Sequence, residues 1–379
     1  MKVIGIIAEY NPFHLGHKYQ IDKIKELYKD SIIICLCSST FTQRGEVSII
    51  NKWDKAKIAL DNNIDLFIEF PFCYATQSAD IFAKGAIDIL NKLKIDILVF
   101  GTESIEADDL IKLANIEINN KEFNNIVKNY LNKGINYPTA LNNALKDIAN
   151  INISKPNDLL GLSYVKEIIK NNYNITPITI KRIDNYHNSK VINNIASASY
   201  IRNRLYHNLD IKKYIPNYDV NYIKNININY FYNYLKYNII SNINNLDKFL
   251  DVDEGIENRI KKYINKSNNW EELVMNIKTK RYTYNRINRM LLHILTSFTK
   301  EENNNIKIDY IKVLGFNNKG QSHLNKIKKD IKIITNYKPN ISLLLDIEYR
   351  ITNIYSLILN NDLILDEIRH KPIIKENTK

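Results

Sequence analysis

The sequence predicts an α/β fold, a Rossmann-like parallel-sheet domain followed by a mostly helical basic domain. Three observations carry that reading. The first hundred residues alternate short apolar runs with segments of helical spacing, the pattern of a parallel sheet covered on both faces. Beyond about residue 210 the spacing is helical almost throughout, with Gly rare and Pro confined to Pro216, Pro339 and Pro372. The charge also divides unevenly: residues 1–150 carry 17 Lys and Arg against 19 Asp and Glu, whereas residues 151–379 carry 36 against 22. A near-neutral ligand-binding half joined to a polyanion-binding half fits that division. The 379 residues suit two domains, 1–210 and 211–379, with the boundary near 208–215.

Taken in order, Lys2–Ala8 is a first strand and Gly16–Lys29 a helix with Tyr19, Ile21, Ile24 and Leu27 at helical spacing. Ser31–Cys37 is a second strand, Lys52–Leu60 a helix, Ile64–Ile68 a third strand and Asp80–Leu93 a helix. Ile95–Phe100 is a strand stopped by Gly101. Residues 105–170 are largely helical, Ile175–Arg182 is a further strand, and Ser197–Tyr206 starts a helix. In such sheets ligands gather beyond the carboxyl ends of the strands, here residues 9–17, 38–46, 69–78 and 101–104. Three cysteines (Cys35, Cys37, Cys73) exclude a disulfide framework, and none has C-x-x-C spacing. No apolar run approaches the roughly 20 residues of a membrane helix. The opening Met1–Ile7 reads as a strand without a signal-peptide cleavage region, so a cytoplasmic protein without a membrane or an obligate protein partner is expected.

The sharpest motif is Glu9-Tyr10-Asn11-Pro12-Phe13-His14-Leu15-Gly16-His17. It places H-x-G-H directly after the first strand and at the mouth of the first helix. Two imidazoles beside the free N–H groups of a helix start make a compact donor array for a nucleotide's phosphates. Gly16 lets backbone approach the ligand. The alternative is a pair of histidines that merely cap the helix. A second element, Ala196-Ser197-Ala198-Ser199-Tyr200-Ile201-Arg202, puts hydroxyls at a helix start and an arginine one turn on, where both can hold a distal phosphate. Serine also caps helices everywhere, and the H-x-G-H upstream gives the segment its weight. His14 and His17 are the candidate catalytic pair, with Ser199 and Arg202 on the distal phosphates and Arg182 available to phosphate or to a surface salt bridge. Glu46 and Asp80 suit either a place near magnesium or a helix cap or ion pair. In the basic half, Lys278, Lys280, Arg281, Arg286 and Arg289 cluster around Tyr282 and Tyr284. Cations interleaved with aromatics suit phosphate contacts and base stacking. Lys326, Lys328, Lys329 and Lys332 form a second cluster that suits RNA or a solvated helix face equally.

The strand, the H-x-G-H and the later serine–arginine segment resemble the nucleotidylyltransferase superfamily. The segments Phe41-Thr42-Gln43-Arg44-Gly45-Glu46, Glu69-Phe70-Pro71-Phe72, Gln77–Ala83, Phe100–Glu103 and Lys155–Gly161 narrow this to a resemblance to the bacterial tRNA(Met) cytidine acetate ligase family. Glu254–Arg259, Arg281–Thr283 and Val313–Gly320 extend it across the basic half. The chain departs from the family pattern at Ser38-Ser39-Thr40 and at Val47. The resemblance implies two steps: acetate and ATP give acetyl-adenylate, and the acetyl group passes to N4 of the wobble cytidine of elongator tRNA(Met). It implies nucleotide contacts at Ile7, Ala8, Glu9, Tyr10, Asn11, Pro12, Phe13, His14, Leu15, Gly16, His17, Lys18, Tyr19 and Gln20, then at Gly101, Asn157 and Arg182. Its substrates would be ATP, with Mg2+ accompanying the phosphates and no dedicated metal site, acetate, and tRNA. The alternative function is a small-molecule adenylyltransferase of cofactor biosynthesis, which has no use for a basic half. A third reading, an RNA-binding protein on an inactive nucleotide fold, is disfavoured by the presence of His14, Gly16, His17 and Arg202.

Overall fold

The computed structural model describes residues 1–183, 194–359 and 362–376. Five strands, β1 (Lys2–Ala8), β2 (Ser31–Ser38), β3 (Leu66–Phe70), β4 (Ile97–Thr102) and β5 (Thr176–Lys181), lie parallel in the order β5-β4-β1-β2-β3. Each falls where the apolar runs predict it. Alternation along β2 sorts its side chains by face: Ile32, Ile34 and Leu36 join one core, while Ile33, Cys35 and Cys37 join the other. All eight residues of β2 are buried, as a central parallel strand covered on both faces requires.

The chain after 210 does more than supply helices. A sixth strand, β6 (Ile311–Asn317), adds to the sheet antiparallel beside β3, and β7 (Ile333–Ile334) and β8 (Ile373–Lys375) pair parallel with β6. The sheet therefore draws strands from both sides of position 210. Its 33/35/37 face shares one continuous core with Phe231, Leu235, Trp270, Met290 and Leu291 of the helical half. Phe41 sits where they meet, its ring 5.8 Å from Phe72, 5.7 Å from Phe231 and 6.1 Å from Tyr355. Among the described residues no helix is long and apolar enough to cross a membrane.

A buried cluster of charges seals the β3–β6 junction. Lys52 Nζ lies 2.7 Å from Glu69 Oε1, Lys312 Nζ lies 3.1 Å from Glu69 Oε2, and both lysines also pair with Glu367. Thr352 Oγ1 donates to Glu367 Oε1 at 2.8 Å. Burial opposes ionisation of Glu69, but Lys312 and Lys52 override it and hold the carboxyl at about 2. The neighbouring Glu348 accepts the Phe72 N–H at 2.6 Å. Burial, reinforced by the charge of Glu69, pushes it up to about 8. Two cations then face two carboxylates and one protonated acid, a balanced set that a buried site tolerates.

A carboxyl with a higher pKa in the folded state than in the unfolded one binds more protons when folded. Its contribution is complete below the unfolded value near 4.5 and is lost as pH rises toward 8. Glu348→Gln, which keeps the shape and an acceptor oxygen, should flatten the decline of unfolding free energy between pH 5 and 8 by up to about 1 kcal/mol per pH unit. Urea unfolding across that range checks this; identical slopes in the two proteins would show that Glu348 is ionised in the fold.

Candidate active site

The site forms at the carboxyl edge of the sheet. Where β1 ends, Tyr10 turns the chain with a left-handed backbone (φ 44°), and its buried ring packs edge-on against Phe13 and His17 at 4.7 and 4.9 Å. A tyrosine in this region is strained, and such residues cluster at functional turns. The Asn11 side chain then ties the turn to the following loop, donating to the Val47 carbonyl at 3.0 Å and accepting the Ile49 N–H at 2.9 Å. Helix α1 (Leu15–Leu27) starts with a reciprocal cap. His14 Nδ1 accepts the Gly16 N–H at 3.0 Å, and the His14 N–H donates to His17 Nδ1 at 3.2 Å. The rings stack with centroids 3.8 Å apart. A backbone N–H can only donate, so each Nδ1 is the acceptor nitrogen and each Nε2 carries the ring proton. Burial, with the charges of His14 and Arg182, holds His17 well below its ordinary range. The pair therefore caps the helix through both Nδ1 atoms, which leaves Nε2 as the donor nitrogen of each ring.

Around the pair lies a cavity of about 1090 Å3. Of the residues expected to contact nucleotide, Ile7, Ala8, Glu9, Tyr10, Asn11, His14, Gly16, His17, Tyr19, Gln20, Gly101, Asn157, Arg182, Ser199 and Arg202 line it. Pro12, Phe13 and Leu15 are not on the wall, and Lys18 is ion-paired with Asp22 at 2.8 Å on the outer side of α1. At Gly101 a β-carbon would stand 3.1 Å from Arg182 Cγ, so the missing side chain makes room for the arginine that follows β5. Asn157 Nδ2 donates to Glu103 Oε1 at 2.5 Å. Glu103 Oε2 also accepts the N–H groups of Asn157 and Asp158, while buried Asp158 accepts the Glu103 N–H at 2.7 Å and the Ser104 hydroxyl at 2.6 Å. This clasp fixes the end of β4 against the start of helix Pro156–Lys170.

Arg202 spans the site. Its Nη1 donates to the Asn11 carbonyl at 2.7 Å, and Nη2 meets Glu46 Oε2 at 2.6 Å. It thus ties helix Ala198–Tyr206 to both the H-x-G-H turn and the Gln43-Arg44-Gly45 loop. Glu46 and Asp80 both take the ion-pair reading, Asp80 with Lys166 at 2.6 Å. The Ser38-Ser39-Thr40 departure leaves the loop closed: Phe41 bridges Val47, and the Ser48 N–H donates to the Thr40 carbonyl at 2.8 Å. Lys55 was not legible from sequence. Wholly buried, it donates to the carbonyls of Glu9, Ser38 and Ser39 at 2.8, 2.9 and 3.1 Å, gathering the carboxyl ends of β1 and β2.

The opposite wall comes from the basic half. Arg281, Arg286 and Arg289 line the same cavity, whereas Lys278 and Lys280 are exposed outside it. Arg286 lies 3.9 Å over the Tyr282 ring. Tyr282 is buried with its hydroxyl on the Asp253 carbonyl, so it is a seat for Arg286 and not a platform for a base. The two walls meet at Gly45, whose φ of 79° favours glycine. A β-carbon there would lie 2.7 Å from Asn288 Cβ and 2.9 Å from the Arg289 backbone nitrogen. Among the described residues no three His, Cys, Asp or Glu side chains form a metal-holding group.

Comparison with known proteins places this geometry. A family model described as HIGH Nucleotidyl Transferase matches residues 1–367. A tRNA(Met) cytidine acetate ligase of Caldicellulosiruptor saccharolyticus is 37% identical over 377 residues, 94% of each chain. The protein of that name from Clostridium acetobutylicum is 37% identical over 99% of this chain and 100% of its own. The chain belongs to the tRNA(Met) cytidine acetate ligase family. The crystal structure of Thermotoga maritima TmcAL bound with alpha-thio ATP superposes with a TM-score of 0.89 at 28% identity over 100% of both chains, and the apo form with 0.91 at 27%. The family's enzymes are ligases, and the α/β architecture expected from the sequence is the architecture they share.

Arg202→Met keeps much of the side chain's bulk but leaves the Asn11 carbonyl and Glu46 without their donor. Stranding a buried acceptor costs about 1–3 kcal/mol, more where a charge is involved. Urea unfolding should show a loss of that size. Unchanged stability would mean that the clamp does not hold the turn.

Proposed function

We propose that this protein activates acetate with ATP and acetylates a tRNA base. An acetate oxygen attacks the α-phosphorus of ATP, the bond to the bridging oxygen breaks, and pyrophosphate leaves with that electron pair. The exocyclic N4 of the wobble cytidine (C34) of elongator tRNA(Met) then attacks the acetyl carbonyl, loses a proton and displaces AMP, giving N4-acetylcytidine. The observation that carries this reading is the pairing of two walls in one cavity: Nε2–H donors of the capping histidines at a helix start on one side, the guanidinium groups of Arg281, Arg286 and Arg289 on the other.

In-line displacement at phosphorus builds charge on the phosphate oxygens and the leaving pyrophosphate, so preorganised donors are the main catalytic device. His14 and His17 offer theirs with no reorientation, because each ring is locked by a backbone N–H. Ser199, with Arg182, would stand by the distal phosphates, Arg202 holds the turn beside them through Asn11 and Glu46, and Asn157 with Gly101 would border the ribose and adenine. Mg2+ enters with the phosphates, whose oxygens it prefers. Residues 1–210 supply the nucleotide wall and residues 211–379 the RNA wall. The relatives named as tRNA(Met) cytidine acetate ligases and the Thermotoga protein with its bound ATP analogue support the assignment. The basic half speaks against the small-molecule adenylyltransferase.

The decisive assay is acetate-dependent ATP–pyrophosphate exchange without RNA, followed by acetyl transfer on adding tRNA(Met). His17→Ala should lower the exchange rate by about 10²–10³-fold with its helical circular dichroism retained. Near-normal exchange in that variant would remove His17 from the reaction. Arg281→Glu combined with Arg286→Glu should weaken tRNA binding and reduce the dependence of log affinity on log salt by about 0.7–0.9 per lost phosphate contact. An unchanged salt slope would place both residues off the RNA.

A further inference from the structure

Asp251 carries a role that none of the motifs announces. It sits on the cavity wall with a left-handed backbone (φ 66°) in a turn pinned on both sides. The Leu250 N–H donates to the Phe298 carbonyl at 3.1 Å, and Lys300 Nζ donates to the Val252 carbonyl at 2.9 Å. Behind it lies His293 of helix Tyr284–Leu295, wholly buried. Its Nε2 donates to the Thr76 carbonyl at 2.9 Å, and its Nδ1 lies 3.2 Å from Asp251 Oδ2. Burial acts to raise the Asp251 carboxyl, but His293, Arg289 and Arg286 override it and keep it below the ordinary carboxylate range. An ionised carboxylate thus faces the His293 ring through one oxygen. Among the described residues Oδ1 has no hydrogen-bond partner. The cations beside it are also incompletely paired. Arg289 Nε is buried without a partner, and its Nη1 reaches only a 3.4 Å contact with the Gln43 carbonyl. Arg286 rests on the Tyr282 face.

A fixed acceptor beside guanidinium donors is the complement of a base edge that pairs an exocyclic amine with ring acceptors. Cytosine presents N4–H2 next to N3 and O2. Uracil presents O4 in place of the amine and would set oxygen against carboxylate. We infer that Asp251, with Arg289 and Arg286, forms the subsite that selects cytosine over uracil by accepting a hydrogen bond from the base's N4 amine. The pinned turn, with buried His293 behind it, keeps the carboxylate on the cavity wall. The inference rests on the RNA-acetylation reading and names a residue that chooses its acceptor base. It also orients the nucleophile, because a carboxylate on one N4–H fixes the plane in which the nitrogen faces the acetyl group.

The test compares two anticodon stem-loops of tRNA(Met) that differ only in C or U at the wobble position, their affinities measured by fluorescence anisotropy at one salt concentration. One good base contact discriminates by about 1–3 kcal/mol, so the wild type should prefer the C loop by about 5- to 150-fold. Asp251→Asn can donate to O4, and Asp251→Ser has no carboxylate to repel it, so in both the preference should fall to within about threefold. Circular dichroism of each variant verifies the fold, and the serine variant decides if the asparagine variant is unfolded. A merely structural Asp251 would weaken both loops alike and leave the ratio intact, which overturns the inference. Absence of RNA binding by the wild type overturns the reading beneath it.

Discussion

The position of Phe41 is the constraint on which the rest of the architecture depends. Its ring is buried between Phe72 just after β3, Phe231 of the helical half and Tyr355 near the C-terminal end. Aromatic contacts of this kind each add about 0.5–1.5 kcal/mol beyond area burial. Here they lock a loop that leaves β2 against elements almost two hundred and more than three hundred residues away. Four residues later Gly45 lets the same loop run against the backbone of Asn288 and Arg289. A cavity with a nucleotide-type wall and an arginine wall exists because this loop cannot separate from either side.

The electrostatics of the site follow from where charge is permitted. The nucleotide wall holds the His17 imidazole uncharged, a consequence of burial and of the neighbouring His14 and Arg182 charges. Arg202 is committed to Glu46 and to the Asn11 carbonyl. Lys55, buried among carbonyls, is lowered from its ordinary range by desolvation. It holds strand ends together in place of a partner carboxylate. The incompletely paired cationic donors among the described residues lie across the cavity on Arg286 and Arg289, where a polyanion from outside would arrive. Tying inner charges down and leaving outer ones available suits the proposed reaction, which would exclude water from a mixed anhydride yet admit RNA. The balanced Lys52–Glu69–Lys312–Glu367 cluster applies the same logic to the fold, holding β6 against β3 away from the chemistry.

The five parallel strands and the helices between them were legible because apolar runs and helical spacing alternate cleanly up to residue 182. β6 was missed inside a region of helical spacing, although Tyr310-Ile311-Lys312-Val313-Leu314 is a strand-like run; a short apolar run does not distinguish a strand from a buried helix by periodicity alone. Strands of two and three residues, β7 and β8, leave no pattern at all. At the site, His14, Gly16 and His17 stood out because their spacing is local. Asn157 with Glu103 and Arg202 with Glu46 are partnerships of fold, not of spacing. Lys55 looks like Lys57 in sequence, and only the packing buries one and exposes the other. Asp251 and His293 lie far apart in the chain and meet where the Phe249–Thr299 bridge and the bond from the Leu250 N–H to the Phe298 carbonyl join their two segments.

The central claim is that nucleotide and RNA share one cavity built from both halves of the chain. Amide hydrogen exchange tests it most directly, with a non-reactive sulfamoyl analogue of acetyl-adenylate and an anticodon stem-loop of tRNA(Met) added separately and together. The account predicts that the analogue protects residues 7–20, 101–104 and 157–160, that the stem-loop protects 251–254 and 281–289, and that residues 41–47 gain protection from both. Stem-loop protection confined to the lysines at 326–332, with 251–254 and 281–289 unchanged, would contradict it.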